Sequence, residues 1–223
     1  MSGPAPVRAL LLDFGGTLDA DGVPWKERFR RLFAREGVEA GERFDRAFYD
    51  ADDALVGAVP PDLSFEETVV RLARGVAKRL GAPESAAPVA AAFLAGSRAC
   101  LARSAAVLER LASRYRLGIV SNFYGNLESV CRETGLSPHL SAAIDSVVVR
   151  AEKPDRRIFE AALEALSARP EETVFVGDSL PRDMAGARAL AMRHVWLRGG
   201  EGAPCCPGDP VIGTLAELPG VLQ

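Results

Sequence analysis

The stretch "LLLDFGGTLDADG", from Leu10 to Gly22, decides how the rest of the chain is read. Apolar residues run without interruption into one acid, Asp13, and Gly15-Gly16-Thr17 then turn the chain. A short continuous apolar run that stops at a turn is the pattern of a strand buried on both faces. A carboxylate at the mouth of such a strand is costly to desolvate without a partner. The fold must therefore bring something to Asp13.

Similar runs recur along the chain. "RALLLDF" (8–14), "YRLGIVSN" (115–122), "IDSVVVR" (144–150) and "ETVFVGD" (172–178) are short, apolar and β-branched, with weaker runs in "RHVWL" (193–197) and "DPVIG" (209–213). Helical periodicity fills the gaps, as in "PDRRIFEAALEAL" (154–166), with Pro154 opening the helix, and "LPRDMAGARALAM" (180–192). Buried strands alternating with helices predict an α/β fold, a doubly wound parallel sheet of the Rossmann-like kind.

Between the first two strands the character changes. From about residue 23 to residue 103 no strand pattern appears. Trp25, Phe29, Leu32 and Phe33 share one helix face, with Gly37 as its stop. "SFEE" (64–67) is a capping box that opens a helix carrying Val69, Leu72, Ala73, Val76 and Leu80, with Gly81 placed as a C-terminal cap. An Ala-rich helix follows through "AAPVAAAFLAGSRACLA". The expected organisation is an α/β core of residues 1–19 and 104–223 interrupted by an all-helical cap of about four helices, residues 20–103.

The chain has 223 residues and a net charge of −3, so no global field attracts nucleic acid. The apolar run before Asp13 is too short for a signal-peptide core, and no run reads as a membrane span, which places the expected site of action in the cytoplasm without a membrane partner. Cys100 and Cys131 stand alone, Cys205 and Cys206 are adjacent, and none shows zinc-site spacing. With only two histidines, His139 and His194, the chemistry is expected from carboxylates, lysine and a metal.

In a parallel α/β sheet, ligands sit beyond the carboxyl ends of the strands. At those ends stand Asp13, Ser121-Asn122 and Asp178-Ser179, with Lys153 in the turn after the third strand and Asp183 one turn into the next helix. Singly, each has an ordinary reading: a turn acid, a helix cap, a solvated lysine. Together, three carboxylates and one lysine on one rim call for a hard divalent cation, and Mg²⁺ suits a site with few protein oxygens and room for water. Such a rim suits a phosphoryl group attacked by Asp13.

The segments "LLLDFGGTLDADG", "GIVSN", "EKPDRRIF" and "FVGDSLPRDMAGARALAM" resemble, in order, the four motifs of the haloacid dehalogenase (HAD) superfamily, in its phosphatase-like branch with a subclass I helical cap. The resemblance covers nearly the whole chain and implies a Mg²⁺-dependent hydrolase of a small phosphorylated metabolite. It implies Asp13 as the nucleophile that becomes an aspartyl-phosphate, with Ser121 and Lys153 completing the catalytic set. Asp13, the carbonyl of Gly15, Asp178 and Asp183 would hold Mg²⁺. Gly16, Thr17, Ser121, Asn122 and Lys153 would cradle the phosphoryl group. Dehalogenation fits less well, because "GDSLPRD" keeps acids that the metal-free dehalogenases lack.

One position departs from the family. Its phosphatases read Asp-x-Asp-x-Thr, and their second Asp is the general acid/base; here that position is Gly15. General acid/base groups contribute about 10²–10⁴-fold in rate. The departure leaves open a slow phosphatase, a non-catalytic protein that binds a phospho-ligand or a partner, or a C–P bond hydrolase. The last would need a cap lysine, and the cap holds only Lys26 and Lys78. Asp19 and Asp21 are nearby acids, with Asp19 at the family's hinge into the cap. Ala191 stands where the family usually has Gly.

Overall fold

The computed structural model describes residues 5–199 and 209–222. Cys205 and Cys206 lie outside the described residues. A six-stranded, all-parallel sheet has the order β3-β2-β1-β4-β5-β6. Its strands are β1 (Ala9–Leu12), β2 (Arg116–Ser121), β3 (Ala142–Asp145), β4 (Thr173–Gly177), β5 (Arg193–Leu197) and β6 (Val211–Ile212). β1 lies at the centre, and all four of its residues are fully buried. Leu10 and Leu12 face one apolar cluster and Ala9 and Leu11 the other, the period-two alternation of a strand covered on both sides. This is the doubly wound α/β fold that the sequence predicts.

Between β1 and β2 the chain forms α1 (Trp25–Arg35), α2 (Arg43–Asp53), α3 (Phe65–Leu80) and α4 (Ala86–Ala112). The Ser64 side chain accepts from the Glu67 amide to open α3, and Gly81 closes it at φ +74°, a conformation open to glycine without strain. The amphipathic faces of these helices join the sheet's larger apolar cluster, where Phe29 stacks on Phe93 with centroids 4.5 Å apart. The expected cap boundary after residue 103 falls inside α4, which continues without a break to Ala112.

Two readings need correction. Pro83–Ala112 is long and apolar enough to cross a membrane by length and composition. Its apolarity has a packing cause: Val89, Phe93, Ser97, Leu101, Ser104 and Leu108 form a buried stripe against the rest of the protein. The third strand is Ala142–Asp145 rather than 144–150. Asp145 ends it by accepting the Val147 amide, and Ser146–Val149 turn into a short helix, α6, despite their β-branched side chains. Val148 is left exposed, so strand propensity there yields to a cap.

Later helices position the rim. α7 (Arg156–Ala165) begins after Asp155, whose carboxylate accepts the Arg157 amide, so the cap is Asp155 and Pro154 stands just outside. The helix expected over 180–192 is two shorter pieces, a wide turn over Leu180–Met184 and α8 (Ala185–Ala189). α5 (Leu127–Glu133) and α9 (Leu218–Val221) complete the helical layers.

Candidate active site

The register fixes the rim. Leu12 pairs with Ile119 on one side and Val176 on the other, so the chain ends of β1, β2 and β4 open on one edge. Asp13 follows β1, Ser121 ends β2, and Asp178 follows β4. The Asp13 amide still donates to the Val176 carbonyl at 2.9 Å, which anchors the loop after β1 to the sheet.

The side chains converge as the sequence predicts. Lys153 Nζ lies 2.7 Å from Asp13 Oδ1 and 2.7 Å from Asp183 Oδ1. Ser121 Oγ donates to Asp13 Oδ1 at 2.8 Å. One ligand oxygen each from Asp13, Asp178 and Asp183 lie within 4.8 Å of one another. Lys153 is only 4% exposed, which rules out a solvated surface lysine. Two glycines make this approach possible. A Cβ on Gly16 would lie 2.5 Å from the Asp178 carboxylate, and one on Gly177 would lie 2.3 Å from that of Asp183.

The electrostatics are those of an unbalanced site. Burial pushes the Asp178 carboxyl well above the usual carboxylate range, and the charges of Asp13 and Asp183 push it further. Burial also raises Asp183, against the pull of Lys153. Burial would lower the Lys153 ammonium, but Asp13 and Asp183 together hold it above its ordinary value. One cation against three acids leaves the group short of positive charge. Asp183 Oδ1 is buried with Lys153 beside it and no hydrogen-bond donor in good geometry. Hard oxygen donors at this density fit a divalent metal ion such as Mg²⁺.

Other predicted residues have structural partners. Asn122 accepts the Lys153 amide at 2.7 Å and donates to the Lys153 carbonyl at 3.2 Å, clamping the turn that carries the lysine. Thr17 Oγ1 donates to Asp178 at 3.1 Å, and the Gly16 amide is engaged by Asp19 at 2.8 Å. Trp196 Nε1 fixes the Asp178 carbonyl at 2.9 Å, a support that the strand pattern of β5 does not reveal.

The cavity over the rim has a volume of about 260 Å³. Asp13, Gly15, Ser121 and Lys153 line its floor, and Trp25, Tyr49 and Asp52 come from the helices above it. Tyr124 and Arg182 complete the wall, with the Tyr124 hydroxyl donating to Asp52. Sequence reasoning missed these residues, because helical spacing gives a face but not what the face meets. Trp25 matters most: its Nε1 lies 3.3 Å from where a Cβ on Gly15 would stand. The same indole N–H donates to Asp19 at 2.9 Å. Gly15 thus lies against a cap tryptophan.

The family model described as haloacid dehalogenase-like hydrolase matches residues 7–190. The chain belongs to this family. Within it, the chain is similar to a haloacid dehalogenase-like hydrolase domain-containing protein 3 of Danio rerio, 36% identical over 109 residues, 48% of this chain and 45% of that one. It is also similar to a phosphoserine phosphatase of Thermus thermophilus, 36% identical over 164 residues, 69% of this chain and 64% of that one. The chain therefore spans less than two thirds of either relative. Among solved structures, a HAD phosphatase from Thermococcus onnurineus superposes with a TM-score of 0.61 at 23% identity, covering 97% of this chain and 98% of that one. The L-2-haloacid dehalogenase RSc1362 superposes at 0.64 and 21%, covering 98% and 100%. At such identities these likenesses show the shared fold. The family is one of hydrolases, and the Thermus thermophilus relative carries the name of a phosphatase.

Proposed function

We propose that this HAD-like hydrolase is a Mg²⁺-dependent phosphatase of small organic phosphates, with Asp13 as nucleophile and attenuated turnover because Gly15 supplies no acid. The observation that carries the reading is the charge deficit of the rim: two buried acids and one half-buried acid gather around a single buried lysine, which pairs with Asp13 and Asp183. Asp13, Asp178, Asp183 and the Gly15 carbonyl would hold the metal, which supplies positive charge against the phosphoryl oxygens.

The chain's own groups do the rest. Lys153 pairs with Asp13 at 2.7 Å and stands ready for a phosphoryl oxygen. Ser121 orients the Asp13 carboxylate through its 2.8 Å hydrogen bond. Asn122 keeps Lys153 in place by gripping its backbone. An Asp13 oxygen attacks phosphorus, the bond to the leaving oxygen breaks, and water later cleaves the resulting acyl phosphate. In both steps the position that would shuttle the proton is Gly15, and Trp25 crowds its approach. Substrates with stable leaving groups, such as aryl or acyl phosphates, suit this site best.

The C–P hydrolase reading loses support at Lys26. It lines the cavity, but an imine-forming lysine must shed its proton. Burial pulls the Lys26 pKa down, yet Asp45 at 3.2 Å and Tyr49 together raise it overall. The test of the proposal is aryl phosphate turnover with and without Mg²⁺, followed by mass spectrometry of Asp13. Metal-dependent turnover with slow decay of a phosphorylated Asp13 is expected. No turnover would favour the binding-protein reading, and metal-independent turnover would overturn the Mg²⁺ dependence.

A further inference from the structure

Both acids and cations line the cavity. The floor is acidic, and the wall on the core side carries Arg182, exposed to solvent. Its Nε makes a long 3.4 Å contact with Ser179 Oγ. Among the described residues, no carboxylate lies within 4 Å of its guanidinium. Other cations near the cap have acid partners, with Asp45 serving both Lys26 and Arg30. Lys26 sits 3.2 Å from Asp45 with its ammonium 5.0 Å from the Tyr49 ring centre, and Arg28 sits 2.6 Å from Asp19. Asp52, an acid lining the same cavity, is already engaged by the Tyr124 hydroxyl. Burial raises the Asp52 carboxyl while the Arg182 charge lowers it, so the two sense each other without pairing.

A cation that lines a phosphoryl site with no carboxylate within pairing distance can read a second negative group on the substrate. The guanidinium fork matches a carboxylate in two parallel hydrogen bonds. One unbalanced cation complements one negative charge; a second phosphate would bring nearly two, and Lys26 is not free to meet it. The cavity volume of about 260 Å³ restricts the body between the two groups to a few atoms, below the usual range for drug-sized ligands. Trp25 and Tyr49 give that body an apolar wall.

We infer that the preferred substrates are small phosphorylated carboxylates, with the phosphoryl group on the Asp13 floor and the carboxylate on Arg182. This rests on the phosphoryl-site reading above and adds the substrate class to it. The experiment uses the full chain as Asp13→Asn with Mg²⁺, so that ligand is not consumed, and measures affinities by calorimetry. Three probes are compared: glycerol 3-phosphate, 3-phosphoglycerate and 1,3-propanediol bisphosphate. We expect 3-phosphoglycerate to bind about tenfold or more tightly than glycerol 3-phosphate, the scale of a charge-assisted hydrogen bond. The ratio should collapse towards one in Arg182→Gln and survive in part in Arg182→Lys. The ratio cancels any general weakening of the site by the substitution. Equal binding of the first two probes, a ratio unmoved by Arg182→Gln, or tightest binding of the bisphosphate would each overturn the substrate class. Failure of all three probes to bind would instead remove the phosphoryl site on which it rests.

Discussion

Asp13 and Asp19 lie six residues apart in one loop, and both are buried. Their surroundings are opposite. Asp19 receives donors from every side: the Gly16 amide at 2.8 Å, Trp25 Nε1 at 2.9 Å, Arg28 at 2.6 Å and Ser97 Oγ at 3.0 Å. Through them it ties the loop after β1 to α1 and α4. Asp13 shares its lysine with Asp183 and lies beside Asp178, which has Thr17 Oγ1 as its side-chain donor. One acid is fully satisfied by the fold, and the other belongs to a group left short of positive charge. A buried acid with all its partners is architecture; a cluster lacking them is a place where something binds.

The contrast is open to experiment, and the largest effect is expected at Asp13, the proposed nucleophile. Asp13→Asn should reduce any phosphatase activity to background while leaving the circular dichroism spectrum and unfolding midpoint close to native. The amide keeps the shape but loses the nucleophilic oxygen. Activity retained in a clean preparation would move the chemistry away from Asp13.

Asp19 should behave in the reverse way. Asp19→Ala strands Arg28 and frees Trp25 and Ser97, so urea unfolding should show a loss of about 3–5 kcal/mol, the scale for breaking a buried ion pair. Asp178→Asn, which relieves repulsion, should cost little or even stabilise the metal-free protein. Similar losses in the two variants would erase the distinction between the acids.

Gly15→Asp tests what the rim lacks. The added carboxyl restores a proton carrier, with an upper scale of about 10²–10⁴-fold in rate. Trp25 lies 3.3 Å from the new Cβ and must shift by a few tenths of an ångström, so the gain should fall below that scale. It should be larger for alkyl than for aryl phosphates, whose leaving groups need the proton less. Kinetics on a matched pair of esters decide it, and equal rates before and after the change would show that proton transfer does not limit turnover.

The smallest effect is at Ala191, held in the left-handed region at φ +55°. Ala191→Gly should stabilise the protein by about 0.5–1 kcal/mol, as relief of Cβ strain outweighs the added freedom of the unfolded chain. A loss of stability would show that the Ala methyl contributes more by packing than it costs in strain.

These positions also mark how far the sequence could be read. The rim was legible because β1, β2 and β4 are short apolar runs with a polar residue at each end, and a parallel sheet puts those ends together. The third strand was misplaced because Val147, Val148 and Val149 look like a strand, whereas the turn is set by one Asp145 carboxylate on a nearby amide. The wall of the cavity was hidden for a different reason. Periodicity placed Trp25 on an apolar helix face, but that it meets Gly15 depends on where α1 sits over the sheet. Arg182 was visible beside Asp183, yet its lack of a counter-ion is a property of three dimensions.

The central claim is that the rim is short of positive charge and takes up a divalent metal to correct it. Calorimetric titration of Mg²⁺ into the native chain, Asp178→Asn and Asp183→Asn tests it most directly, at pH 5 and pH 7.5. A carboxyl whose pKa is higher folded than unfolded holds its proton more tightly when folded. For Asp178 and Asp183, stability of the metal-free protein therefore falls as pH rises above the ordinary Asp value of about 3.9, until the raised values are passed. Metal must displace those protons, so its binding strengthens over the same rise in pH. The account predicts one Mg²⁺ per native chain, bound more tightly at pH 7.5 than at pH 5 and much more weakly in both variants. No binding at millimolar Mg²⁺ at either pH, or equal binding in all three proteins, would contradict it.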